Sequence, residues 1–421
     1  MTRAKGTPMS ETTSAPDPTA DVGLADIRAA REVLRGFTAL TPVQSSRWLT
    51  EVTGCPVNLK CENLQRTGSF KPRGAYLRMS RLSEEQRAGG VVAASAGNHA
   101  QGVALAAREL GIRARVYMPK GAPIPKENAT RGYGAEVVFH GGSVDEALTA
   151  AQAYAEESGA VLIHPFDHRD IVAGQGTVGL ELLEQVPEVR TVLVPLGGGG
   201  LLAGIAIAVK SIDPSIRVVG VQAAGAAAYP RSLAEGRPVA LEQMATMADG
   251  IKVGRPGEVP FAAVRRYVDE ILTVDEEALS RALLALVERA KLVVEPAGAA
   301  GVAALMQAPG QFEGPVVTVL SGGNIDPLLL GKVIRHGLAA GGRYVTLQVT
   351  ISDAAGSLAR LLGQIGEAGA SVLEVVHART SPTLPIDAVD VRLQLETRGE
   401  AHAEGLVRKL DQQGYDVVRT E

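Results

Sequence analysis

Thr191 to Leu196 is an unbroken apolar run that enters four consecutive glycines, Gly197 to Gly200, and continues as the apolar stretch Leu201 to Lys210. That order predicts a buried strand, a turn of unusual backbone freedom and a buried helix. A strand that delivers its chain into a helix in so few residues belongs to a βα unit, and the same rhythm recurs on both sides of it. Val57–Lys60, Val91–Ala94, Ala114–Met118, Glu136–Phe139, Val161–Ile163, Arg217–Val221 and Val316–Leu320 read as strands. Leu24–Leu34, Ala75–Met79, Ala100–Leu110 and Val144–Glu157 read as helices. Alternation of this kind predicts an α/β fold with mostly parallel sheets.

The character of the chain changes near Ala339-Ala340-Gly341-Gly342, which reads as a linker. Beyond it, Tyr344–Ile351 alternates apolar and polar residues as a half-exposed strand does. Leu358–Gly366 follows as a helix, Val372–Val376 and Ala388–Leu395 as strands, Ala403–Leu410 as a helix and Asp416–Val418 as a last strand. This βαββαβ order is ferredoxin-like. Residues 1–20, rich in Thr, Ser, Pro, Ala and Asp, read as a disordered tail without the apolar stretch of a signal peptide.

Composition narrows the function classes. The 421 residues carry a formal net charge of −4 and no basic stripe, which argues against a nucleic-acid partner. No apolar run reaches the roughly 18 residues of a membrane helix. The two cysteines, Cys55 and Cys61, are too few for a disulfide framework or a four-ligand zinc site, and a reduced, cytoplasmic setting is expected.

Four segments carry chemistry. The glycines Gly197–Gly200 and the helix beginning at Leu201 form a cup for an anion, since backbone N–H groups and the helix N-terminus converge there. No Gly-Lys-Ser/Thr follows, so it is not a Walker loop. Gly198, Gly200 and Ala203 satisfy G-x-G-x-x-A, yet the next strand ends in Val221-Gln222, where a dinucleotide site places an acid. Ser95-Ala96-Gly97-Asn98-His99 leaves a strand and opens a helix; it can bind a carboxylate, although helix capping alone also explains Ser95 and Asn98. Ser321-Gly322-Gly323-Asn324 ends a strand in a glycine turn. Glu295, preceded by Leu292-Val293-Val294 and followed by Pro296, puts a carboxylate at an apolar strand or turn end.

To these is added Ser69-Phe70-Lys71-Pro72-Arg73-Gly74-Ala75, a lysine behind an aromatic residue at the start of a helix. In this order the segments resemble the tryptophan-synthase β-like, fold-type II pyridoxal-phosphate enzymes, and among them the threonine ammonia-lyases. The resemblance covers about residues 24–340. It implies two open twisted α/β domains within 21–340, the smaller one, about 90–167, inserted in the larger. It makes Lys71 the lysine that carries pyridoxal 5'-phosphate, beside Phe70. Gly197–Gly200 and Leu201 become the phosphate cup, Asn98 the partner of the cofactor's 3′-oxygen, and Ser321 the partner of the pyridine nitrogen. Ser95 to His99 becomes the grip on the substrate carboxylate. Gly250, in Ala248-Asp249-Gly250-Ile251, and Phe166, in His164-Pro165-Phe166, resemble loops lining the cofactor ring, with Glu295 nearby. Residues 343–421 resemble an ACT regulatory domain, with Asp353-Ala354-Ala355-Gly356-Ser357-Leu358 matching its Asp-x-Pro-Gly-Ser-Leu loop except for Ala355.

The expected activity is elimination from L-threonine to 2-oxobutanoate and ammonia, with L-serine as a second substrate. A homo-oligomer is expected, with an amino-acid effector, isoleucine or valine, at the ACT-like domain. Ala96 stands where serine racemases of this fold have a second serine, so efficient racemisation is not expected. Gln222 stands where those racemases have a metal-binding glutamate, so no Mg²⁺ or Mn²⁺ dependence is expected there. Serine or 3-hydroxyaspartate dehydration, β-replacement and a non-catalytic amino-acid sensor are the alternatives; an intact Lys71 argues against the sensor.

Overall fold

A computed structural model describes residues 21–378 and 385–420. The tail expected over 1–20 lies outside the described residues. The strands, in chain order, are β1 (Val43–Ser45), β2 (Val57–Lys60), β3 (Val91–Ala94), β4 (Ala114–Met118), β5 (Glu136–Phe139), β6 (Val161–Leu162) and β7 (Thr191–Pro195). They continue as β8 (Arg217–Ala223), β9 (Glu270–Val274), β10 (Val316–Val319), β11 (Tyr344–Ser352), β12 (Ser371–Ala378), β13 (Ala388–Glu396) and β14 (Asp416–Thr420).

The chain divides into two compact units, Met1–Ile325 and Asp326–Glu421. The first holds a six-stranded sheet of order β1-β2-β10-β7-β8-β9, parallel except for the β1–β2 pair. It also holds a four-stranded parallel sheet of order β5-β4-β3-β6, built from the stretch Val91 to Leu162. Strands such as β7 and β10 are buried along their whole length, as parallel strands covered on both faces must be. The helix Gly200–Ile212 returns from β7 and buries Leu201, Leu202, Ile205 and Val209 against that sheet. Val91, Ala93, Val103 and Ala106 belong to the core beneath the smaller sheet.

Two helices begin earlier than their apolar periodicity predicts. The helix after Lys71 runs Pro72–Ser80, because proline at the first position has its φ preset for a helix and no N–H to leave unpaired. The helix after β3 runs Asn98–Leu110, so its exposed amides lie at the Ser95–His99 loop itself.

In the second unit β12-β13-β11-β14 form an antiparallel sheet, the strand order of a ferredoxin-like βαββαβ unit. Val345, Leu347, Val349, Val391 and Leu393 share a core with Leu361 and Ile365 of the helix Ser357–Glu367 and Leu406 and Leu410 of the helix Glu400–Gln412. The boundary differs from the linker expected at 339–342. The helix Pro327–Ala340, capped by Asp326, packs with β11 and belongs to the C-terminal unit. Apolar helical periodicity from Leu328 onward reads the same whichever unit covers it.

Candidate active site

Two loops meet at Lys71. Phe70 N–H donates to the Ser321 carbonyl at 3.2 Å, Ser69 bridges Gly322, and Gly323 N–H donates to the Gly68 carbonyl at 2.8 Å. These bonds hold the segment before Lys71 against the end of β10, which brings Ser321, itself buried, beside the lysine. The Asn98–Leu110 helix approaches closely: a side chain on Gly102 would begin 3.1 Å from the Lys71 carbonyl carbon, a tight fit against backbone. The half-buried Lys71 ammonium donates to the Pro165 carbonyl at 3.1 Å and lies 5.2 Å from the Phe70 ring centre. Burial pulls its pKa down to about 8, with Glu295 opposing the shift.

Asn98 does not cap its helix. Its side-chain amide donates to Glu295 Oε1 at 2.7 Å, and its Oδ1 accepts from Asn324 Nδ2 at 2.8 Å. Asn324 also donates to the Thr67 carbonyl at 2.7 Å. One hydrogen-bonded row therefore joins the loop before Lys71, the Ser321–Asn324 turn, Asn98 and Glu295. Glu295 is 2% exposed and sits in a turn that opens a short 3-10 helix rather than on a strand. Burial raises its pKa to about 7, Asp249 adds to the shift, and Lys126, the bond from Asn98 and Lys71 reduce it. Its second oxygen, Oε2, has no hydrogen-bond partner. A side chain on Gly250 would begin 3.3 Å from Glu295 Oε1, which places that loop over the carboxyl.

The tetraglycine turn has no room for side chains at Gly198 and Gly199. Gly199 has φ +103°, the left-handed region, and a side chain there would begin 1.9 Å from the Tyr229 hydroxyl. A side chain on Gly198 would begin 2.4 Å from the Phe166 ring, which lies directly on that glycine. Phe166 thus packs on the turn, edge-on to His164 at 4.7 Å between ring centres. Tyr229 O–H donates to the Gly198 carbonyl at 3.2 Å, fixing the turn from behind. Leu201 is buried at the start of the helix.

In the remaining loop, Ser95 Oγ accepts from Gly97 N–H at 3.1 Å. His99 is buried, with Nε2 2.7 Å from the Ile163 carbonyl; burial and Lys71 lower its pKa to about 3, so it is neutral. Ala96 adds no polar group. Gln222 is buried and spends its amide within its own loop, accepting from Tyr229 N–H at 3.0 Å and donating to the Ala226 carbonyl. Among the described residues no cluster of His, Cys, Asp and Glu could hold a metal ion, and no helix is long and apolar enough to cross a membrane.

Two sets of residues escape sequence reasoning. Arg73, two positions after Lys71, is fully buried and bonds both Glu62 and Glu181. Lys60 donates to Glu181 at 2.6 Å and to the Thr41 carbonyl at 2.9 Å. Lys126 pairs with Asp249 beside Gly97. Neither set carries a local signal, because each joins residues far apart in the chain.

A half-buried lysine amine of lowered pKa, bonded to Pro165 next to the Phe166 that packs on a four-glycine turn, and a row of buried polar groups suit an aldehyde-bearing phosphate cofactor. Residues 34–322 match the model of the pyridoxal-phosphate dependent enzymes, and the chain belongs to that family. It is 46% identical over 396 residues to an L-threonine ammonia-lyase from Thermotoga maritima, covering 94% of this chain and 99% of that protein. The solved threonine deaminase of T.th. aligns at 45% identity and TM-score 0.69, over 72% of this chain and 99% of that one. Maize serine racemase aligns at 37% identity and TM-score 0.71, over 76% and 99%. The residues present fit the cofactor: an amine with lowered pKa, a four-glycine turn at the start of a helix, and the buried Glu295 carboxyl with Oε2 unpartnered.

Proposed function

We propose that the chain is a pyridoxal-phosphate dependent L-threonine ammonia-lyase that releases 2-oxobutanoate and ammonia, with L-serine as a second substrate. The observation that carries this reading is Lys71, whose amine is held by burial near a pKa of 8 between the Asn98 loop and the Ser321 turn. The overall identity to the Thermotoga enzyme supports the choice of substrate.

Lys71 would hold the cofactor covalently, with Phe70, Phe166 and Gly250 along its ring. The amides of Gly197–Gly200 and Leu201 would hold its phosphate, Asn98 its 3′-oxygen and Ser321 its ring nitrogen. When bound, the cofactor supplies an electron sink for negative charge at the substrate Cα. Ser321 offers a neutral hydroxyl rather than a carboxylate, which leaves that sink weaker and suits elimination, where charge at Cα is used at once to expel the β-hydroxyl. Lys71, whose pKa of about 8 leaves a sizeable share of neutral amine, would take the Cα proton. The Cβ–O bond breaks as the leaving oxygen receives a proton, equivalent to the one taken from Cα, so that it departs as water; hydrolysis of the enamine product returns one water and gives the oxo acid and ammonia. Ser95, Ala96, Gly97, Asn98 and His99 orient the carboxylate through backbone amides, the Ser95 hydroxyl and the helix N-terminus.

Racemisation needs an acid on the face opposite Lys71. Ala96 offers none, so D-serine formation from L-serine should fall far below oxo-acid release. The C-terminal unit reads as an ACT-like domain that answers to isoleucine or valine, supported by its βαββαβ order and by the Asp353–Leu358 loop, where Gly356 takes φ +87° before the helix Ser357–Glu367. The test is oxo-acid release from L-threonine, L-serine and 3-hydroxyaspartate, with and without isoleucine. Turnover fastest on L-threonine supports the reading; a cofactor-loaded protein inert to all three points to β-replacement or to a sensor.

A further inference from the structure

The Ser95–His99 loop meets the substrate's negative charge with neutral donors only. Ser95 offers a hydroxyl whose oxygen already accepts from Gly97 N–H, Asn98 opens its helix with a backbone amide, and His99 is neutral and tied to Ile163. Lys71 is assigned to the cofactor and to proton transfer. A second cation nevertheless stands against this loop. Lys126, in the helix Ile124–Gly132, points its ammonium to within 3.4 Å of where a side chain on Gly97 would begin. The residue comes from the smaller sheet's part of the chain, and its side chain is only 9% exposed.

Its partner is Asp249, whose side chain is 54% exposed and which immediately precedes Gly250. The two ends of this pair differ in kind. Lys126 is fixed in the wall of the site, whereas Asp249 can return to water at little cost, because a carboxylate more than half exposed keeps most of its hydration. Both charges reach the interior: Asp249 and Lys126 act in opposite directions on the buried Glu295 carboxyl.

We infer that Lys126 is a substrate-binding residue for the α-carboxylate, with Asp249 standing in as a carboxylate until an amino acid replaces it. This rests on the reading of Ser95–His99 as the carboxylate loop. The exchange swaps one ion pair for another, so the site's charge stays balanced as substrate enters. The pair then reports substrate charge: an amino acid displaces Asp249, and its uncharged amide does not. The glycine at 97 follows from the same geometry, since a side chain there would stand between the ammonium and the loop amides.

The test uses the cofactor-loaded enzyme and two ligands without a β-leaving group, L-2-aminobutyrate and its amide. Equilibrium dissociation constants are read from the cofactor's absorbance. Lys126→Gln should weaken L-2-aminobutyrate about ten- to hundredfold, the worth of one charge-assisted hydrogen bond, and leave the amide unchanged. Lys126→Arg should restore most of the loss. Asp249→Asn, which removes the competing carboxylate, should tighten L-2-aminobutyrate and leave the amide unchanged; this arm decides the matter if Lys126→Gln does not fold. Equal losses for acid and amide, no loss in Lys126→Gln, or unchanged or weaker acid binding in Asp249→Asn would overturn the inference. A wild type that binds acid and amide alike removes the carboxylate loop as well. One that prefers the acid, and keeps that preference as Lys126→Gln, removes Lys126 alone. Binding without L-threonine turnover counts against the lyase and not against Lys126.

Discussion

Glu295 and Lys71 lie in one buried region, and burial moves their protonation equilibria toward each other: the amine down to about 8, the carboxyl up to about 7. The raised carboxyl has a defined consequence for stability. Between the ordinary value of 4.5 and about 7 the folded protein holds a proton that the unfolded chain has lost, so stability falls as pH rises through that window. In cofactor-free protein, Glu295→Gln should therefore be more stable than wild type at pH 8, by about 2–3 kcal/mol, with the gap closing toward pH 4.5. Urea denaturation at both pH values checks it; a gap that widens toward acid would contradict the assignment. At this scale the sequence is partly legible. Lys71, the tetraglycine and Asn98 announce themselves through local pattern. The bond from Asn98 to Glu295 spans 197 positions, and that from Lys126 to Asp249 spans 123, distances over which sequence pattern says nothing.

At the level of elements, the helix that begins beside Lys71 is anchored from below by Arg73. Its guanidinium joins Glu62, just past β2, to Glu181 in the helix Arg169–Gln185, while Lys60 at the end of β2 holds the same Glu181. All four charges are buried or nearly so, and they balance. Such a cluster adds little over an apolar core, but removing one member strands the others. Arg73→Met should cost about 3–5 kcal/mol in urea unfolding of the holoenzyme; a loss under 1 kcal/mol would show that the carboxylates reach water or find other donors. The elements themselves were readable. Strands such as Val57–Lys60, Val91–Ala94 and Ala114–Met118 stand where β-branched and apolar runs place them. The helix Arg169–Gln185 went unread, because it is buried on nearly every face and its glycines and polar residues blur the amphipathic stripe.

For the whole molecule, the separation into Met1–Ile325 and Asp326–Glu421 places every proposed cofactor and substrate residue in the first unit. The solved threonine deaminase aligns over 72% of this chain and 99% of its own, so a protein of that extent exists without a counterpart to the remainder. A chain ending at Ile325 should keep L-threonine turnover within about threefold and lose any response to isoleucine or valine; steady-state rates with and without each amino acid decide it, and a retained response would move the effector to the first unit. The C-terminal order was legible because its apolar and polar residues alternate along β11 and β13 with one face buried. The proposed activity stands on Lys71 as the carrier of pyridoxal phosphate. Borohydride reduction of the holoenzyme, peptide mass mapping and L-threonine turnover by Lys71→Ala test it together. The expected result is the cofactor mass on the Lys71 peptide and a mutant whose oxo-acid release is lost. Label on Lys60 or Lys126, or a mutant that still turns over L-threonine at the wild-type rate, would contradict it.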